Sequence, residues 1–228
     1  MNGKEEVWNR VEGFRQEHLA GSLQHLPVDV FSLTELRLGL NVIPFDDLFA
    51  KYDSDAAITQ DFTGIYVDTE AYVFWEKGPV WKQNRLRFSV AHELGHYILH
   101  REVATRARFE SFDDFAHWTR SHGGQKYNLE QAANEFAGRL LVPPERLQQL
   151  YDEFAVQFDA KLPHWRSYEG VRSAFADSVA PKFGVNAQVI EVRLDRDGIW
   201  LATQASIPAG GDTFHASCFT PHFSISLL

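Results

Sequence analysis

The sequence predicts an α+β protein in which a small antiparallel sheet packs on a mostly helical body, with a helical C-terminal part. Three observations lead to this fold class. Apolar residues recur at helical spacing in several long segments, β-branched and aromatic runs are concentrated in residues 40–75, and Gly or Pro separates many of these segments. The 228-residue chain is 44% hydrophobic and 23% charged, which is typical of a folded globular protein.

The first part of the chain contains two predicted helices and the strands. Residues 4–20 are predicted to form an amphipathic helix, because apolar side chains recur on one side of it: Val7, Trp8, Val11, Phe14 and Leu19. The segment PVDVFSLTELRLGLNVIP predicts a short helix that ends at Gly39, followed by an extended run over 40–43. In FTGIYVDTEAYVFWEKGP, two strand-like runs flank Asp68–Thr69, which predicts a hairpin over 62–75.

Helical periodicity dominates the rest of the chain. It returns over residues 85–100, and the charged stretch 101–127 is predicted to be a long, partly helical excursion. The segment NLEQAANEFAGRLLVPPERLQQL predicts a helix with Asn128 as its N-cap, ended by Pro143–Pro144 and followed by another helix. Residues 171–195 predict two helices joined at KFGVN, and the tail after Gly198 is expected to be extended.

Composition and charge exclude several classes of protein. The formal net charge of −9 makes non-specific nucleic-acid binding unfavourable, because such binding depends on neutralising phosphates. Cys218 is the single cysteine, so neither an intramolecular disulfide nor a multi-cysteine zinc site is expected. The N-terminal residues lack the apolar core of a signal peptide, and no run of about 18 apolar residues occurs. We therefore expect a cytoplasmic protein that does not contact a membrane.

The stretch SVAHELGHYILH, residues 89–100, contains the strongest chemical signal. On a helix, His92 and His96 project from the same face, where both rings can reach one ion. Glu93 lies at the edge of that face and could reach a metal-bound water. This H-E-x-x-H spacing is that of zinc proteases, in which the metal lowers the pKa of the water and the glutamate takes its proton. The alternative is a histidine-rich face of an ordinary buried helix, which would need hydrogen-bond partners for both imidazoles.

Catalytic zinc usually has a third protein ligand. His100 lies one further turn along the helix, about 6 Å beyond His96, which is too far to share the ion. On the later helix EQAANEFA, Glu130 could bind the metal while Asn134 accepts a hydrogen bond from a ligand histidine. Glu130 could equally be a solvated glutamate near a helix start. Glu135 is the rival carboxylate, but it lies on the opposite side of the helix and is expected to face solvent.

Other residues are weaker candidates for function. His117, His122 or Tyr127 could stabilise an oxyanion, although exposed loop residues are the simpler interpretation. Arg85 and Arg87 could steer an acidic substrate or form surface ion pairs. The charges of the helical pair at 171–195 and its flank sum to zero, which argues against a DNA-reading role. The outer edge of the predicted hairpin could pair with an extended substrate strand.

The segment RLRFSVAHELGHYILH followed by EQAANEFAGRLLVPPERL resembles the ImmA/IrrE-type zinc metallopeptidases, over roughly residues 27–197. The resemblance implies zincin-like active-site helices and one zinc ion per chain, with His92, His96 and Glu130 as ligands and Glu93 as the catalytic residue. It also implies a site-specific endopeptidase that cleaves a helix-turn-helix repressor in a stress or mobile-element system. Three departures are the long segment between the two motifs, the long segment between VPPERL and FADSV, and the short tail, which has no clear match to the C-terminal sensor domain of some relatives.

This interpretation divides the chain into three parts. Residues 1–26 form an N-terminal helical extension, and residues 27–160 form the zinc metallopeptidase domain. Residues 161–228 comprise a helix-turn-helix-like pair and an extended tail, packed on the same domain. Two alternatives remain at this point: a metal-binding regulator that docks a repressor without cleaving it, and a DNA-binding protein with structural histidines. The intact Glu93 argues against the first alternative and the neutral helical pair against the second.

Overall fold

A computed structural model describes residues 3–19, 26–75, 77–107 and 123–200. Within these residues the chain is mostly helical with one small sheet, so the predicted α+β class is confirmed. Helices α1 to α9 are, in chain order, Gly3–His18, Val30–Ser32, Leu48–Tyr52, Thr69–Val73, Val80–Ala107, Gly123–Leu141, Pro144–Asp159, Glu169–Phe183 and Ala187–Arg196. Helix α2 continues as a π-helical turn over Leu33–Arg37, and a 3₁₀ turn spans Trp165–Ser167.

The sheet has three strands in the order β1-β3-β2, with β1 at Asn41–Phe45, β2 at Ala56–Ile58 and β3 at Gly64–Asp68. Strands β2 and β3 are antiparallel, as expected for the sheet, but β1 pairs with β3 in parallel. The sheet is therefore mixed and not purely antiparallel. The chain can make this parallel pair because α3 and β2 lie between β1 and β3 and carry it back across the sheet.

The predicted hairpin over 62–75 is wrong. The first run is β3, but the second run is α4, because Asp68 acts as a helix N-cap: its Oδ1 accepts a hydrogen bond from the Ala71 amide at 3.0 Å. Its other oxygen accepts from the Phe49 amide at 3.0 Å. This local capping outweighs the strand preference of the aromatic residues that follow. Strand β3 is central, with partners on both sides, so it cannot offer a free edge to a substrate.

The other predicted helices are present, some with different bounds. Helix α5 runs over Val80–Ala107 and is much longer than the predicted 85–100. Helix α6 begins at Gly123, so Asn128 lies inside it and is not its N-cap. Helices α8 and α9 meet near Gly184, which adopts a φ of +62°, as expected for the KFGVN junction. The extended tail was predicted beyond Gly198, and nearly all of that segment lies outside the described residues.

Helix α5 is the central element of the core. Its buried face packs against strand β2 on one side and helix α6 on the other. Leu86, Val90 and Leu94 of α5 are completely buried, as are Phe136 and Leu140 of α6. Helices α1 and α9 also pack on α6. The histidine-bearing segment of α5 thus lies between the sheet and the helix that carries Glu130.

Candidate metal centre

His92 and His96 lie one turn apart on α5 with their rings turned toward the same point. Their Nε2 atoms are 3.0 Å apart and their ring centroids 4.8 Å apart. This arrangement follows from helical geometry, since residues four apart lie on the same face. The first part of the motif therefore forms a local pair of nitrogens on one helix.

Glu130 of α6 completes a three-residue cluster. One carboxylate oxygen lies 3.2 Å from Nε2 of His92 and the other lies 3.6 Å from Nε2 of His96. A tetrahedral zinc ion with ligand bonds of about 2.0–2.1 Å places neighbouring ligand atoms about 3.3 Å apart. The three observed separations of 3.0, 3.2 and 3.6 Å bracket that value. The three side chains therefore fit a divalent metal ion.

Gly95 explains how α6 comes close enough to supply Glu130. A Cβ atom at Gly95 would lie 3.0 Å from both the Cα and the carbonyl oxygen of Ala133, and 3.2 Å from Cβ of Phe136. The two helices thus contact each other almost backbone to backbone, at a glycine on α5 and an alanine on α6. The small residues of α6 were expected to allow this approach; the matching glycine on α5 was not singled out from the sequence.

The outward-facing nitrogens of both histidines also have partners. Nδ1 of His92 lies 2.9 Å from Oδ1 of Asn134, and Nδ1 of His96 lies 2.9 Å from Nδ1 of His100. An amide oxygen can only accept, so Nδ1 of His92 carries the proton and Nε2 presents its lone pair to the cluster. Asn134 thus lies where the sequence placed it, beside a candidate ligand histidine.

Glu93 is only 4% exposed and lies under the edge strand of the sheet. Its Oε2 accepts a hydrogen bond from the backbone amide of Ile58, the last residue of β2, at 2.8 Å. Among the described residues, no donor contacts its other oxygen. Ile58 could not have been found from sequence, because a backbone amide carries no signature in the side chains around it.

The electrostatics separate the two carboxylates of the site. Burial alone would raise the pKa of Glu130, but the hydrogen bonds and charges of His92 and His96 hold it well below its ordinary value. Burial raises the pKa of Glu93, and the nearby histidines only partly offset this effect. Glu130 is therefore suited to remain an anion, and Glu93 is suited to accept and release a proton.

His92, a member of the cluster, and His100, which lies outside it, have pKa values shifted in opposite directions. Burial alone would lower the pKa of His92, but Glu130 and Glu93 raise it overall. Burial lowers the pKa of His100 to about 3, so its ring is neutral at neutral pH. His100 is not part of the three-residue cluster, as the sequence predicted from its distance along the helix.

Glu135 was expected to face solvent, and this expectation is wrong. Its side chain is 4% exposed and accepts a hydrogen bond from Arg193 at 2.7 Å, and it also contacts Arg196 and the indole N–H of Trp8. It lies on the side of α6 away from Glu130, as the helical period indicates, but α1 and α9 cover that side. Glu135 is therefore the centre of a buried ionic contact and lies outside the metal cluster.

The remaining candidates are structural or lie outside the described residues. Arg85 pairs with the buried Asp55 at 2.6 Å, and Arg87 donates to the carbonyl oxygen of Gly184 at 2.7 Å. These contacts tie α5 to the sheet and to the end of α8. His117 and His122 lie outside the described part of the chain, as does the side chain of Tyr127.

Comparison with known proteins identifies the family of the chain. A family model described as the IrrE N-terminal-like domain, which defines a peptidase family, matches residues 82–195. That range covers half of the chain and includes His92, His96, Glu130 and Asn134. No curated protein matches the chain. Within the described residues, no helix is both long enough and apolar enough to cross a membrane. On this match, the chain belongs to the IrrE N-terminal-like peptidase family.

Proposed function

We propose that the protein is a zinc-dependent endopeptidase whose metal is bound by His92, His96 and Glu130. The observation that carries the proposal is the convergence of two ring nitrogens and a carboxylate, all lone-pair donors, on one point from two helices. Three such atoms repel one another unless a proton or a metal ion lies between them, and one metal ion satisfies all three at once. Three protein ligands also leave the fourth position that a catalytic zinc site needs.

A zinc ion held there would polarise a peptide carbonyl and lower the pKa of a water molecule to about 7. Glu93 takes the proton of the attacking water and then delivers it to the departing amine. Its raised pKa suits this role, because a pKa closer to the working pH makes the carboxylate a stronger base toward water and still lets the protonated group give its proton to the amine. The Ile58 amide donates a hydrogen bond to Oε2 of Glu93 and holds that oxygen in place. The other oxygen, Oε1, then accepts the proton from water and donates it to the amine.

We further propose that the substrate is a helix-turn-helix repressor of a stress or mobile-element system. This rests on the family resemblance, since a metal site specifies a reaction and not a partner. The net charge of −9 supports it, because the DNA-contacting surface of such a repressor carries positive charge and would be attracted to an acidic enzyme. Docking on α8 and α9 is supported by two exposed hydrophobic side chains, Tyr168 at the N-cap of α8 and Val192 on α9.

A direct DNA-binding role is less well supported by this helical pair. Arg172 pairs with Asp195 at 2.7 Å, and Arg193 is buried against Glu135. A side chain that is committed to an internal ion pair is not available to neutralise a phosphate.

Metal analysis and a cleavage assay test the proposal together. We expect about one zinc ion per chain, and a cut in the repressor encoded nearby that a chelator abolishes. Glu93→Gln should keep the metal and lose cleavage, because it changes the proton carrier and not a ligand; His96→Ala and Glu130→Ala should lose both. Protein that neither carries nor takes up zinc would refute the metal site. If the zinc-loaded wild-type protein binds the repressor but does not cleave it, the protein is a metal-binding regulator and not an enzyme.

A further inference from the structure

His100 lies one turn beyond His96 on α5 and is 9% exposed. Its Nδ1 atom is 2.9 Å from Nδ1 of His96, and the two ring centroids are 5.0 Å apart. The contact joins two nitrogens, each of which either donates or accepts in a neutral ring. At 2.9 Å only one proton fits between them.

The position of that proton follows from the other end of the His96 ring. Nε2 of His96 faces Nε2 of His92 at 3.0 Å and Glu130 at 3.6 Å, so its lone pair must be free if it is to bind a metal. The ring proton must then be on Nδ1, from which it is donated to His100. His100 therefore accepts at Nδ1 and carries its own proton on Nε2.

We propose that His100 is a positioning residue that fixes the tautomer and the ring orientation of His96 for metal binding. The inference rests on the metal site of the proposed function. His100 would act on His96 as Asn134 acts on His92, but it comes from the same helix as its partner. Its contact would persist even if α5 and α6 moved relative to each other, whereas that of Asn134 would not.

The geometry also shows why His100 is not itself a ligand. Its Nδ1 contacts the nitrogen of His96 that points away from Nε2 and the cluster, and it is absent from the set of ligand atoms that lie within 4.8 Å of one another. Simple ring packing is the competing explanation. Packing needs only the shape of the side chain, whereas tautomer control needs an acceptor at the place of Nδ1.

Zinc affinity of two variants separates these explanations. His100→Asn puts an amide oxygen close to the place of Nδ1, and His100→Leu fills part of the same space without an acceptor. Asparagine and histidine have similar helix propensities, so the Asn variant should not weaken α5. We expect competition with a chromophoric chelator to show a loss of zinc affinity of about 10–100-fold for His100→Leu and little loss for His100→Asn. Equal affinities of the two variants would overturn the proposal.

A measurement on the unaltered, zinc-loaded protein covers the case in which the Leu variant fails to fold. Nitrogen-15 correlation spectra report which ring nitrogen of each histidine is protonated. We expect His96 to be protonated at Nδ1, and His100 at Nε2 with a bare Nδ1. A protonated Nδ1 on His100 would overturn the inference while leaving the zinc site intact. If the wild-type protein binds no zinc at all, the proposed function itself fails. That result differs from equal zinc affinities of the two variants and from a protonated Nδ1 on His100, which would overturn only the role of His100.

Discussion

At the scale of single residues, the orientation of two imidazole rings decides what the site can bind. Both rings present Nε2 to the cluster, and both Nδ1 atoms have a polar partner behind them. A histidine ring without such a partner can flip or change tautomer, which costs metal affinity. The residues behind the ligands are therefore as much a part of the site as the ligands themselves.

Asn134→Ala tests this statement for His92. The change removes the acceptor at 2.9 Å from Nδ1, so we expect zinc affinity to fall by about 10–100-fold, with little change in global stability. Asn134→Asp is the matched control, because it keeps an acceptor oxygen at the same place and should retain most of the affinity. Titration of each variant against a competing chelator measures its zinc affinity. If the Ala variant binds zinc as tightly as wild type, Asn134 only packs between the helices.

At the scale of elements, the site depends on the close crossing of α5 and α6. The ligands come from both helices, so a shift of one helix changes the distance between His96 and Glu130. Gly95 and Ala133 set that separation through backbone contacts that cannot rotate out of the way. This explains a glycine in the middle of a long helix, where it costs about 1 kcal/mol relative to alanine.

Gly95→Ala should therefore weaken both the fold and the metal site. The new Cβ would lie 3.0 Å from the Ala133 backbone, so α6 must move away and take Glu130 with it. We expect a destabilisation of about 1–3 kcal/mol, typical of overpacking, together with reduced zinc affinity. Denaturant unfolding and chelator competition measure the two effects.

Gly13→Ala is the control for that experiment. Gly13 lies inside α1, and nothing lies within 4 Å of a Cβ atom built there. This variant should gain up to about 1 kcal/mol from the better helix propensity of alanine and leave zinc binding unchanged. A stabilised Gly95→Ala protein with normal zinc affinity would show that the helix crossing tolerates a methyl group.

At the scale of the whole molecule, a buried ionic contact joins the two ends of the described chain to α6, the helix that carries Glu130. Glu135 of α6 contacts Trp8 of α1 and Arg193 of α9. Arg193 is 1% exposed and also pairs with Asp197. Replacing one partner of such a buried pair leaves the other charge uncompensated, which costs far more than losing a surface pair.

We expect Glu135→Gln to lower the free energy of unfolding by about 3 kcal/mol at pH 7. This value is near the lower limit of the destabilisation caused by breaking a buried ion pair, because Asp197 still pairs with Arg193 in the variant. Burial alone would raise the pKa of Glu135, but Arg193 and the other partners lower it overall. A lowered pKa gives stability that is present above the unfolded-state pKa of about 4.3 and is lost as the pH falls further. The difference between wild type and variant should therefore shrink below that pH.

Denaturant unfolding of both proteins from pH 7 to pH 3 measures this difference, with zinc content matched. Glu153→Gln, a change to an exposed glutamate on α7, serves as the control and should have almost no effect. A Glu135→Gln penalty that does not depend on pH would show that the loss comes from packing and not from the charge.

The proposed substrate preference also belongs to the whole molecule. We expect one dominant cut in a folded helix-turn-helix repressor and little action on casein, since docking must restrain a protease that meets many other proteins. Val192→Ser on α9 should slow repressor cleavage without changing zinc content, whereas Val156→Ser on α7 should not. Mass spectrometry of a mixture of folded proteins maps the cuts. Many unrelated cuts at similar rates would indicate a general peptidase.

The sequence by itself determined the part of the site that lies on one helix, α5. His92, Glu93 and His96 could be placed with certainty relative to one another, because helical geometry relates residues within one or two turns and needs no information about neighbours. The same period placed Glu130 and Glu135 on different sides of α6 and put His100 beyond the cluster. The family resemblance then implied Glu130 as the ligand, and the structure places it beside both histidines.

Only the tertiary structure decided what each side of a helix meets. Glu135 is buried because α1 and α9 cover it, and periodicity cannot show whether a polar face is met by solvent or by a buried arginine. The residues after Asp68 are helical because the Asp68 side chain caps them, and the same side chain also accepts from the distant Phe49 amide. Strand β1 pairs with β3 in parallel because α3 and β2 lie between them in the chain. Glu93 is held by a backbone amide of another element. Such contacts join residues far apart in the chain, and local periodicity carries no information about them.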